Sequence, residues 1–157
     1  MTQQTKPGNL SLAPLCVVVG LALLAWVQAV RADDKATRAL DGVWIPIEAS
    51  LGGQAFPQEV LKSMQLTLDN GKYTLTIGDR RDEGAYTIDT SKKPWSIDVT
   101  GDKGPNKGKT YQAIYEIQNG QLSICYDLSA KSRPKEFRST ADTEEFLVRY
   151  KRSRQID

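Results

Sequence analysis

The chain has 157 residues, 39% hydrophobic and 25% charged, a length that suits one ordinary domain rather than two. Its net charge of +2 disappears when residues 1–32 are set aside, since Lys6 and Arg31 are the charged residues there. This balance offers no electrostatic footprint for nucleic acid, and the complete lack of histidine removes Ser-His-Asp and Cys-His nucleophile activation and the commonest zinc ligand.

The first 32 residues read as a secretory signal peptide. Lys6 supplies a positive start, residues 15–27 (LCVVVGLALLAWV) form an apolar run, and two small-residue cleavage patterns follow, Val27-Gln28-Ala29 and Val30-Arg31-Ala32. The alternative is an uncleaved anchor, because residues 7–30 carry no charge and residues 10–30 are long enough to span a bilayer. Either reading puts the domain outside the cytoplasm, periplasmic or extracellular, and held at the inner membrane if the leader stays. Cys16 precedes most of the apolar run, so it is misplaced for lipid attachment. Cys125 is then the remaining cysteine, and no intrachain disulfide is expected.

Beyond the leader, residues 36–41 allow a short helical turn. Val43 to Ala49 alternates as a strand, with Pro46 marking an edge or a bend because it cannot donate a ladder hydrogen bond. Gly52-Gly53 breaks the strand, and residues 57–62 (PQEVLK) have proline at a suitable first helical position. Met64, Leu66 and Leu68 alternate with polar residues up to Asn70-Gly71, a hairpin signal, after which Tyr73, Leu75 and Ile77 return. Residues 78–83 read as a charged loop. Strands follow at Tyr86–Ile88, Trp95–Val99 and Tyr111–Ile117, with residues 101–109 a Gly- and Lys-rich loop. Asn119-Gly120 is a second hairpin signal, Leu122–Tyr126 returns, residues 128–143 are irregular, and residues 145–151 form the last strand. About eight short strands joined by tight turns predict an all-β, antiparallel, up-and-down barrel.

The motifs that resemble catalytic ones do not hold together. Residues 104–110 end in Gly-Lys-Thr, but Lys103 stands where a phosphate loop needs its first glycine, and a strand follows where a helix is required. Residues 79–83 lack the spacing and glycine of a calcium loop and read as an exposed hairpin end. Glu48, Glu83, Glu116 and Glu136 are scattered one to a strand or loop, and Cys125 reads as a packed, inert thiol. The basic clusters at residues 131–138 and 149–154 read as solvated charge. The aromatics share the apolar phase of several strands, and an eight-stranded barrel either fills its interior with such side chains or holds one small ligand.

Gly42-Val43-Trp44 at the head of the first strand resembles the Gly-x-Trp of lipocalins, in which a basic residue of the last strand packs over the tryptophan. Arg149 and Arg152 are both candidates for that partner here. More narrowly, the ordered set Leu40-Asp41-Gly42-Val43-Trp44, Gly71-Lys72-Tyr73, Ser91-Lys92-Lys93-Pro94, Lys107-Gly108-Lys109-Thr110, Cys125-Tyr126 and Arg133-Pro134-x-x-Phe137 resembles a family of small secreted lipocalin-like domains abundant in planctomycetes. That resemblance covers residues 38–152. It implies a lipocalin-like barrel and carries over no catalytic residue, metal or cofactor.

The resulting expectation is a secreted binding domain for a small apolar or amphipathic ligand, held among Trp44, Tyr73, Tyr86, Trp95, Tyr115 and Tyr126. Trp44 is expected to plug one end, with ligand chemistry toward the other. The alternative is a filled barrel that binds protein partners through loops 101–109 and 128–143. An enzyme built on carboxylates or tyrosines ranks last, and no nucleic-acid partner is expected.

Overall fold

A computed structural model describes residues 34–153. A helix over residues 34–40, α1, leads into β1 (Gly42–Leu51). The two-residue β2 (Gln54–Ala55) folds back on the end of β1, and α2 (Gln58–Lys62) follows. Then come β3 (Met64–Asp69), β4 (Lys72–Ile77), β5 (Arg80–Asp89), β6 (Trp95–Lys103), β7 (Thr110–Gln118), β8 (Gln121–Asp127) and β9 (Glu145–Arg152). The two cleavage patterns and the apolar run of the leader lie outside the described residues. Among those described, no helix is long and apolar enough to cross a membrane.

From β3 onward each strand pairs antiparallel with the next, and β1 pairs with both β3 and β9. The sheet therefore closes into an eight-stranded up-and-down barrel, as the strand spacing predicts. Closure leaves no free edge to be covered. The register of β1 against β9 shifts between Pro46 and Glu48, where the proline was expected to bend the strand. Both Asn-Gly pairs sit in positive-φ hairpin turns and fix the register of their strands.

Two segments differ from expectation. Residues 80–83 are strand rather than loop, so the turn before β5 shrinks to Gly78-Asp79. Arg80 to Glu83 pair with Ile77 to Thr74, and this backbone ladder outweighs the polarity of the side chains. Alternation then turns Asp82 inward while Arg81 stays exposed, so Asp82 is not part of an exposed hairpin end. Likewise β6 runs on through Lys103, which confines the loop to residues 104–109.

Inward residues form the core around the barrel axis, among them Leu66, Tyr86, Ile97, Tyr115, Ile124 and Val148. A smaller apolar cluster lies outside the wall, where Ile114, Cys125 and Leu147 pack beneath Phe137. Residues 128–144 thus form a strap over the outer face of β7, β8 and β9. Asp127 organises its start by accepting from the backbone N–H groups of Ser129, Lys131 and Ser132, at 2.9, 3.1 and 2.7 Å. Arg133 pins its middle, donating to the Ala113 carbonyl at 2.7 Å and pairing with Asp98 at 2.7 Å.

The alternation of strand directions sorts the connections. The α1 end of the barrel carries the turns at 70–71, 90–94 and 119–120. The opposite end, the mouth, carries β2 and α2, the turn at 78–79, the loop 104–109 and the strap.

Candidate functional site

The α1 end is sealed. Trp44 is fully buried, and its indole Nε1 donates to the Leu40 carbonyl at 2.8 Å, tying β1 to α1. The Arg152 guanidinium lies 4.3 Å from the ring centroid and also donates to the carbonyls of Ala39, at 2.9 Å, and Asp41. Arg152, not Arg149, is therefore the basic cover of the tryptophan. Arg149 points outward and pairs with Glu48 at 2.8 Å. Gly42 adopts φ +134°, and a Cβ there would collide with the guanidinium, so the glycine of Gly-x-Trp makes room for the arginine.

The mouth is different. A cavity of about 220 Å³ extends into the barrel. Its apolar wall comes from Leu66, Leu68, Leu75, Ile97, Val99 and Ile124. Tyr86, Tyr126, Phe146 and Tyr150 add aromatic surface, and Leu128 stands at the rim. An engineered cavity of about 150 Å³ holds benzene, so this one has room for roughly nine non-hydrogen atoms.

One polar constellation interrupts this lining. Asp82 is 5% exposed. Its Oδ2 accepts from the Tyr73 hydroxyl at 2.8 Å and from Asn106 Nδ2 at 2.9 Å, and its Oδ1 accepts from the Asn106 backbone N–H at 3.0 Å. The Tyr111 hydroxyl donates to Asn106 Oδ1 at 3.2 Å. All four residues line the cavity. Burial, followed by the bond to Asp82 and its charge, holds the Tyr73 hydroxyl well above the ordinary phenol range, so it remains a donor.

Asn106 reaches Asp82 because the 104–109 loop folds inward. Gly104, at φ +91°, lies against β5 so closely that a Cβ would come within 2.5 Å of the Arg81 carbonyl and 2.8 Å of Asp82 Oδ1. The Gly108 and Lys107 N–H groups close the loop on Gly101 and Gly104, at 2.9 and 3.3 Å. The segment that mimics the end of a phosphate loop is thus a tight inter-strand loop that leads into β7 rather than a helix and carries an asparagine into the barrel.

Of the six aromatics expected around a ligand, Tyr73, Tyr86 and Tyr126 line the cavity. Trp44, Trp95 and Tyr115 do not; they occupy the α1 end. Trp95 and Tyr115 pack with centroids 5.6 Å apart, and Lys93 lies 5.0 Å over the Trp95 ring. All six share the inward phase, but level along the barrel axis separates them, and alternation does not encode level. Burial pushes the Tyr86 hydroxyl up to about 12. It raises the Tyr126 and Tyr150 hydroxyls as well, and these two hydroxyls are hydrogen-bonded to each other. The residues that sequence reasoning missed are Asp82, Asn106, Tyr111, Phe146 and Tyr150. For Asp82 the usable signal was its even spacing from Tyr86 through Gly84.

Among the described residues no group of three or more Cys, Asp or Glu side chains converges as a metal site. No family model, no curated protein and no solved structure matches this chain.

Proposed function

We propose that the chain is an exported binding domain that takes a small apolar or amphipathic molecule into the mouth of its barrel. The cavity carries this reading. It is concave, walled mainly by apolar and aromatic side chains, and holds a few convergent polar groups, the usual constitution of a small-molecule site. The resemblance to lipocalin-like secreted domains is supported by Arg152 stacked on Trp44 above Gly42. Export rests on the sequence of residues 1–32, and N-terminal sequencing of the protein from the cell envelope tests it. A binding rather than catalytic role rests on the lack of histidine and of paired, separated carboxylates in the cavity.

Native mass spectrometry of the protein isolated from its own cells tests the reading directly. A bound mass of small-molecule size is expected, or else uptake of a hydrophobic fluorescent probe by the empty protein. Leu75→Trp, which projects an indole into the cavity, should abolish that uptake while leaving the thermal transition in place. Empty native protein that takes up no probe overturns the proposal.

A further inference from the structure

We propose that the ligand of this cavity is a small organic ammonium ion, its cationic nitrogen seated against Asp82 and its apolar body among the cavity's aromatic rings. This inference rests on the reading of the barrel as a binding domain and deepens it by naming the ligand's charge and chemistry.

The first observation is a charge with no counter-charge. Asp82 lies inside the barrel, yet the groups that bond it, the Tyr73 hydroxyl and the two Asn106 N–H donors, are all neutral. The nearby cations are committed elsewhere: Arg81 and Lys103 both pair with Glu83 on the outer face, at 2.5 and 3.4 Å. Among the described residues no cation pairs with Asp82. A buried carboxylate is costly unless a cation meets it. An ionised carboxylate offers roughly four acceptor positions, and the three neutral donors leave room for one more.

The second observation is the kind of surface around that charge. Tyr73, Tyr86, Tyr111, Tyr126, Phe146 and Tyr150 all line the same cavity. Aromatic faces attract organic cations through the ring quadrupole, and clustered rings are a recurring device for binding ammonium groups. The carboxylate and the rings therefore select the same sign of ligand, and both disfavour a carboxylate or phosphate headgroup.

Size sets the third term. Space for roughly nine non-hydrogen atoms suits an arylalkyl or short-chain alkyl amine and excludes long acyl chains. The Asn106 loop lies over the carboxylate at the mouth, so the nitrogen sits near the rim and the apolar part points inward.

Isothermal titration of the native protein with 2-phenylethylamine, propylbenzene and phenylacetate tests the inference. These probes share a ring and are similar in size, but are cationic, neutral and anionic. The amine should bind tightest, and Asp82→Asn should weaken it by about thirtyfold or more, a far larger factor than any change in propylbenzene binding. Propylbenzene or phenylacetate binding as tightly as the amine overturns the inference and leaves the binding-domain reading intact. Failure of all three to bind overturns the inference, while the binding-domain reading then stands or falls on the native mass spectrum and probe uptake. Should Asp82→Asn not fold, the ranking of the probes on the native protein still decides. Leu75→Trp, which keeps Asp82 but blocks the cavity, must then abolish amine binding, and amine binding that survives there overturns the assignment.

Discussion

At the α1 end, a tryptophan ring is fully buried beneath a guanidinium whose N–H groups go to backbone carbonyls. At the mouth, a carboxylate is held by a hydroxyl and an asparagine beside open space. Both ends place one charged group against aromatic rings, but the order differs. The arginine covers its ring from the solvent side and stays hydrated, whereas the aspartate sits inside and gives up water. The first arrangement costs little and strengthens the closure of the barrel. The second holds its charge with neutral donors alone. The difference separates an end that holds the fold from the end where we propose that a ligand enters.

Substitutions can break or sharpen that contrast. Trp44→Ala should have the largest effect, about 3–5 kcal/mol of stability lost on the scale of buried aromatic truncations. Urea unfolding measures it, and a loss comparable to that of a surface substitution would remove the distinction between the two ends. Asp127→Ala should cost about 2 kcal/mol, since hydrogen bonds to a charged acceptor are each worth more than neutral ones. Burial would raise the Asp127 carboxyl, but the hydroxyl of Ser129 and the backbone N–H groups of Ser132, Ser129 and Lys131 outweigh it and hold it below the ordinary range. Its contribution is therefore complete above about pH 4 and lost as pH falls through the depressed folded value. Acid titration should loosen the strap of the native protein, while Asp127→Ala should lack that step.

Arg152→Leu should cost about 1 kcal/mol, because the guanidinium is solvent-facing and exposed cation–π contacts are weak. Asn106→Ala removes the Nδ2 bond to Asp82 and the acceptor of the Tyr111 hydroxyl but keeps the residue-106 backbone N–H on Asp82, so it should cost about 1 kcal/mol and loosen the loop without freeing it. Hydrogen exchange should show faster opening confined to residues 104–109. Protection loss spreading to β1 and β9 instead would mean that the mouth also holds the fold.

Much of the barrel was legible because alternation and turn chemistry are local. The Asn-Gly pairs, the apolar phases of β3, β7 and β8, and the proline bend in β1 need no knowledge of distant residues. Even the choice between Arg149 and Arg152 was present in phase, since Arg152 shares the inward parity of Val148 and Tyr150 and Arg149 does not. The site was harder to read. Residues 80–83 carry no apolar side chain, so nothing in their composition marks a strand, and Asp82 was lost in a charged run. Asn106 acts from a loop whose inward fold depends on close approach at Gly104 to another strand. Trp44, Trp95 and Tyr115 differ from Tyr73, Tyr86 and Tyr126 in depth along the axis, which depends on strand tilt and stagger around the closed sheet.

Cys125 gives the strap a built-in clock. It is the free cysteine of the described residues, fully buried under Phe137, and its thiol donates to the Arg138 carbonyl at 3.3 Å. Burial, and then the charge of Glu145, push the thiol up to about 11, so at neutral pH it is almost wholly protonated and shielded from alkylating agents. Modification must wait for the strap to lift. The labelling rate in the folded protein therefore counts those liftings, and because the thiol lies outside the barrel wall, it does so without disturbing the cavity.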